Sequence, residues 1–119
     1  MDIEERAVLK TKADKDLDKI LPPIISTNLI NMLEIKLEKI PDIINFEYVV
    51  DDYYYMEWNN NYYKYEENKN KLFRCKILQF EKSDRWIVFD IEFTGSKNNK
   101  YKHINNIEND EIVQIYRII

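Results

Sequence analysis

The stretch Leu72–Thr94, LFRCKILQFEKSDRWIVFDIEFT, decides the fold. With Glu81–Arg85 as a loop, two strands pair outward from it. Phe80 then faces Trp86, Leu78 faces Val88, Lys76 faces Asp90 and Arg74 faces Glu92. The other side aligns Gln79 with Ile87, Ile77 with Phe89, Cys75 with Ile91 and Phe73 with Phe93. One face is apolar and the other carries two opposite-charge pairs, the pattern of a half-buried antiparallel ladder. On this reading Ile77, Phe89, Ile91 and Phe93 are core residues.

Elements of other kinds flank this hairpin. Residues 3–21 fit an amphipathic helix, with Ile3, Ala7, Leu9, Ala13, Leu17, Ile20 and Leu21 on one broad face, and Pro22-Pro23 ends it. Ser26 or Thr27 caps a second helix through about Lys39, with Leu29, Ile30, Leu33, Leu37 and Ile40 along one side. Pro41 stops that helix and opens one further turn. From Phe46 the pattern turns to strand. Asn59–Asn61 reads as a turn, Tyr62–Tyr65 as a short strand, Glu66–Lys71 and Gly95–Lys100 as loops, and Ile112–Ile118 as the last strand.

Helices followed by strands predict an α+β fold, with N-terminal helices packed on a curved antiparallel sheet. In element order alone this resembles cystatin-like and nuclear-transport-factor-like folds. The chain of 119 residues reads as a single domain, 1–45 helical and 46–119 sheet. Leu29, Leu33 and Leu37 are expected to rest on residues such as Ile77 and Phe89.

The composition narrows the chemistry. One cysteine, Cys75, allows no intrachain disulfide and falls on the apolar face. No run approaches the roughly 18 apolar residues of a membrane span, so a cytoplasmic protein is expected. Glycine occurs once and histidine once. That supply disfavours phosphate-cradling loops, Ser-His-Asp and Cys-His catalysis, and multi-histidine metal sites. No catalytic residue, metal site or cofactor is therefore assigned. His103, in the basic run Lys97–His103, reads as a solvated surface residue. Abundant isoleucine, lysine, asparagine and tyrosine with scarce alanine and glycine suggest an AT-rich genome, such as that of a phage, a large virus or one of many bacteria.

Net charge is -4, unevenly spread. Residues 46–70 hold Glu47, Asp51, Asp52, Glu57, Glu66 and Glu67 against Lys64 and Lys69. Tyrosines crowd the same region, at 48, 53, 54, 55, 62, 63 and 65, beside Trp58. If Phe46, Tyr48, Val50, Tyr54, Met56 and Trp58 share one face, Tyr53 and Tyr55 share the other. Asp52 would then lie on the first face, which makes that face wet there unless a bulge shifts the phase. Tyrosine and tryptophan provide stiff amphipathic contact area, and acids around them suit a basic partner. Such aromatics also fill cores.

The candidate contact is therefore Asp51, Asp52, Tyr53, Tyr55, Glu57, Trp58, Tyr62 and Tyr63, facing a protein partner with a basic surface. The expected function is a small non-catalytic inhibitor or neutraliser, such as a phage or viral anti-defence protein (an anti-CRISPR, for example) or a toxin-immunity protein. Two alternatives stand beside it. One is a ligand-binding or enzymatic domain with a pocket between helix and sheet. The other is a single-strand nucleic-acid binder, which the acids disfavour.

Overall fold

The computed structural model describes residues 5–59, 70–93 and 101–119. Eight strands form one sheet: β1 (Glu5–Leu9), β2 (Ile24–Ser26), β3 (Leu37–Lys39), β4 (Tyr53–Trp58), β5 (Lys71–Lys82), β6 (Ile87–Phe93), β7 (Tyr101–Glu108) and β8 (Ile112–Ile118). Their order across the sheet is β1-β7-β6-β5-β4-β8-β3, and every pairing is antiparallel. The short β2 continues the ladder along β5 at Lys71–Phe73, where β6 has left it. One α-helix, α1 (Lys12–Ile20), and a 3-10 helix at Thr27–Met32 complete the N-terminal part. The fold is α+β with few helices.

The sheet must curl, and chain length shows why. β7 and β8 stand four places apart in the order, so a flat sheet would separate them by about 19 Å. The link from Glu108 to Ile112, the 3-10 turn Asn109–Glu111, spans only four residue steps. Even fully extended, four steps reach about 14 Å. Two hydrogen bonds fasten this corner: Ile87 N–H donates to Asn109 Oδ1 at 3.0 Å, and Asn59 N–H to the Glu111 carbonyl at 2.9 Å.

Inside the curl lies the main core. Tyr54, Met56 and Trp58 of β4 meet Phe73, Cys75 and Ile77 of β5, the alternate residues Ile87–Phe93 of β6, and Ile107, Ile112 and Ile115. Residues 40–48 plug one end. Tyr48 sits edge-on to Phe46, Tyr54, Phe80 and Phe89, and its hydroxyl donates to the Ile43 carbonyl at 2.6 Å. The expected single turn after Pro41 is present, closed by Phe46 N–H on the Asp42 carbonyl at 3.1 Å.

The expected helices 3–21 and 26–39 give way to shorter elements. Thr11 caps α1 by accepting from Asp14 N–H, so the helix starts only there and Glu5–Leu9 pairs with β7 as a strand. No residue of α1 is buried. β-Branched residues, five of the sixteen in segment 24–39, lower its helix propensity, and its two ends pair with β5 and β8 as strands instead. Its apolar side chains Ile30, Leu33, Ile35 and Leu37 cover Ile25, Tyr55 and Leu72 on the outer face of the sheet. They do not rest on Ile77 and Phe89, which the sheet's own side chains and residues 40–48 enclose.

The hairpin exists, in a different register. Its strands run to Lys82 and Ile87, and Ser83 N–H donates to the Trp86 carbonyl at 2.9 Å across a tight connection. Cys75 now faces Phe93, Lys76 faces Glu92 and Ile77 faces Ile91; beyond an irregularity between Ile77 and Gln79, Phe80 faces Phe89. Magnitudes explain the outcome. Two exposed cross-strand charge pairs contribute about 0.2–1 kcal/mol each. Turning Phe80 partly inward onto Phe89 and Tyr48 is worth up to roughly 1.5–3 kcal/mol, and Lys76 still faces an acid, Glu92.

A tight turn interrupts the chain before β4 and leaves its phase unchanged. Asp51 has φ 70°, the left-handed region, and its N–H donates to the Ile77 carbonyl at 2.7 Å. Val50 is thereby thrown outward while Tyr48 and Tyr54 stay inside. Asp51→Val should cost about 1–2 kcal/mol because a β-branched residue resists this conformation. Asp51→Asn should be close to neutral. Chemical denaturation distinguishes the two, and equal stability of both variants would contradict the assignment.

Candidate functional site

The outer face of β5, β6 and β7 divides into two halves with opposite electrostatics. At one end α1 lies across it, held by ion pairs. Arg74 Nη2 meets Asp18 Oδ1 at 2.5 Å, Arg74 Nη1 donates to the Leu21 carbonyl, and Lys10 Nζ meets Asp18 Oδ2 at 2.6 Å. Lys102 of β7 bridges Asp14 and, at 3.2 Å, Glu92 of β6. Arg74 thus pairs with Asp18 rather than Glu92. Lys102, read as part of a basic loop, belongs to a strand and is already engaged. Burial works to raise the Asp14 carboxyl, but hydrogen bonds from Lys102 and Thr11 and the Lys102 charge hold it below its ordinary value.

The other half is open. Trp86, Val88 and Glu108 line a hollow of about 320 Å³. A second hollow of about 270 Å³ adjoins it at Val88, among Gln79, Phe80, Glu81, Asp90 and Asn106. Strand register arranges these residues. Glu81, Val88 and Glu108 form one row across the three strands; Gln79, Asp90 and Asn106 form the next. Val88 is therefore a floor flanked on the two neighbouring strands by carboxylates about 10 Å apart at their Cα atoms. Trp86 stands at the end of this floor, 44% exposed.

Glu108 is held in place by a reciprocal cap. Its carboxylate accepts from Glu111 N–H, while Glu111 Oε2 accepts from Glu108 N–H at 2.9 Å. Burial pushes the Glu111 carboxyl up, and the charges of Asp110 and Glu108 add to that rise against the hydrogen bond to Glu108. The corner is a concentration of negative charge.

The residues expected to make a contact are scattered by the fold. Tyr55 and Trp58 are 0% and 5% exposed and belong to the two core clusters. The Tyr55 hydroxyl donates to the Pro22 carbonyl at 2.7 Å. Tyr53 is half-buried, with the Arg74 guanidinium 5.3 Å and the Lys76 ammonium 6.0 Å from its ring centre. Glu57 is half-buried, and burial raises its carboxyl against the lowering charge of Lys39. Asp51 and Asp52 are exposed on the turn docked against Ile77, two residues along β5 from Gln79. Tyr62 and Tyr63 lie outside the described residues, as do the strand expected at 62–65 and the loop at 95–100.

Sequence reading placed Trp86 on the charge-bearing face of the hairpin, opposite Phe80, and did not weigh it as a contact residue. The signal was nevertheless present: Trp86, Val88 and Asp90 alternate with Ile87, Phe89 and Ile91, so they share the face away from the core.

Cys75 is fully buried, its thiol pushed up by burial, with Sγ 3.3 Å from the Phe73 carbonyl. It acts as a small core residue. Among the described residues no group of three His, Cys, Asp or Glu side chains is placed to hold a metal ion, and no helix is long and apolar enough to cross a membrane. No protein-family model, curated protein or solved structure matches this chain.

Proposed function

We propose that this chain is a small non-catalytic protein that binds a basic surface on a protein partner and thereby inhibits or neutralises it. It would serve in the manner of a phage or viral anti-defence protein or a toxin-immunity protein. The observation that carries this reading is the open, acid-walled hollow at Trp86 on an otherwise covered or charge-paired outer face. Exposed tryptophan beside carboxylates is the composition of an interface anchor with a steering rim. Asp51 and Asp52, on the neighbouring turn, extend the acidic surface toward β4.

The test uses the immobilised protein and its Trp86→Ala variant side by side, with lysate from the native host cell. A partner retained by the first should be lost or bound at least about tenfold more weakly by the second. Capture should also weaken as salt is raised, since steering charges are screened. A partner held equally by both proteins at all salt concentrations would overturn this reading, as would turnover of a substrate that one carboxylate substitution abolishes.

A further inference from the structure

We propose that the Trp86 hollow is a socket for an arginine side chain carried on a basic segment of the partner. This rests on the partner-binding reading above and names the group that the surface recognises. Four features of the site converge on a guanidinium. Trp86 presents an accessible indole, the ring that best holds a cation on its face. Val88 supplies a low apolar floor for the aliphatic part of the side chain. Glu81 and Glu108 flank that floor, and Asp90 lies one row beyond, so a planar donor meets carboxylates from more than one side. Among the described residues no lysine or arginine lines either hollow, whereas the acids under α1 are paired with Lys102, Arg74 and Lys10.

Other occupants fit less well. A phosphate backbone would meet carboxylates at every row. A purely apolar ligand would desolvate the Glu108 and Asp90 carboxylates without bringing a countercharge, although each has one hydrogen bond, from Glu111 N–H and from Gln79 Nε2. Lysine shares the charge, but its ammonium is a strongly hydrated point that cannot lie flat on an indole and fork to carboxylates together. The cap between Glu108 and Glu111 holds one carboxylate wall in place before binding, which reduces the ordering cost.

The full chain would be titrated with blocked tetra-arginine, tetra-lysine and tetra-citrulline peptides, reading the Trp86 indole N–H by NMR. Tryptophan fluorescence is a second readout, because Trp58 is 5% exposed and Trp86 44%, so a quench reports the hollow. Arginine peptide should shift the Trp86 signal saturably. Tetra-lysine should bind at least about threefold more weakly. Citrulline, which keeps the shape and loses the charge, should bind at least about tenfold more weakly. Glu108→Gln with Asp90→Asn should weaken the arginine peptide by about tenfold while preserving the fold, because Gln and Asn retain the hydrogen-bond acceptors. Trp86→Ala should abolish saturable binding.

Equal binding of arginine and citrulline peptides, or binding indifferent to the Glu108/Asp90 pair, would overturn the socket. Lysine equal to arginine would reduce it to unspecific charge attraction and overturn it too. A Trp86-dependent dimer of the protein alone in sedimentation would assign the hollow to a second copy of this chain, again overturning the proposal. The two readings fail separately. If the captured partner needs Trp86 yet citrulline peptide competes as well as arginine, the socket falls and partner binding stands. If the peptides behave as expected but the partner ignores Trp86→Ala, the socket stands and the broader reading falls.

Discussion

Replacing Phe89 by alanine is expected to cost about 3–5 kcal/mol of folding stability, the range for deleting a buried phenylalanine ring. Phe89 is 0% exposed, faces Phe80 and Ile107 across its two ladders, and meets the Tyr48 ring edge-on at 4.9 Å. Its loss removes the floor on which residues 40–48 close the end of the curl. The neighbours cannot collapse easily into the space, because Phe80 and Ile107 are fixed by strand pairing on both sides. Domains of this size are stable by about 5–15 kcal/mol, so the variant should lie near the limit of folding, with a midpoint lower by roughly 10–20 °C. Chemical denaturation of Phe89→Ala beside Trp86→Ala makes the test specific. The exposed tryptophan should cost under about 1 kcal/mol, since little of its packing depends on folding. A Phe89→Ala loss below 1 kcal/mol would mean that this core is not packed as described.

The inward face of β6, and of β5 as far as Ile77, was legible because period-two alternation survives any even slip of register; beyond it Gln79 turns out and Phe80 in, the reverse of the expected alignment. Ile77, Phe89, Ile91 and Phe93 are all buried. The register itself was not legible. It depends on one irregularity near Leu78, which leaves no local sequence mark, and on the turn at Asp51, whose backbone pairs with Ile77 and whose mark is only Asp52 falling on an apolar face. β8 was readable at Ile112–Ile118 from its β-favouring isoleucines, Val113 and Tyr116, although its buried residues Ile112 and Ile115 do not follow simple alternation. The N-terminal part was misread for a physical reason. Of the 3.6-residue apolar stripe at Leu29, Ile30, Leu33 and Leu37, an irregular segment lays Ile30, Leu33 and Leu37 onto Tyr55 and Leu72 and leaves Leu29 exposed. Tertiary pairing with β5 and β8 outweighed a weak local preference. The candidate site was half legible. Aromatic and acidic composition pointed to an interface, but half-burial at Tyr53 and full burial at Tyr55 and Trp58 could not be assigned without knowing which segment covers the outer face.

Replacing Asp18 by asparagine is expected to destabilise the protein by about 3–5 kcal/mol, because it breaks a buried ionic triad from its centre. Asp18 meets both Arg74 and Lys10, whose side chains are 1% and 0% exposed. Asparagine keeps the shape and removes the negative charge that Arg74 and Lys10 share. The direction follows from desolvation: attraction repays it only while the carboxylate is present. Replacing the whole triad with apolar residues of similar volume should recover most of the loss. That recovery separates uncompensated charge from lost packing, and a triple variant no more stable than Asp18→Asn would contradict it. The outer pair behaves differently with pH. Asp14, held below its ordinary 3.8, contributes stability present above that value and lost as pH falls through the lowered one. Lys102 is raised above its ordinary 10.5: burial opposes the charged form, but Asp14 and Glu92 outweigh it. Its contribution is present below that value and lost as pH rises through the raised one. Because α1 buries no side chain, its attachment should loosen at both extremes before the curled sheet unfolds. Amide exchange in Lys12–Ile20, followed from neutral pH into acid, is the measurement. Exchange there that accelerates only together with β5 and β6 would show that apolar packing, not charge, holds the helix.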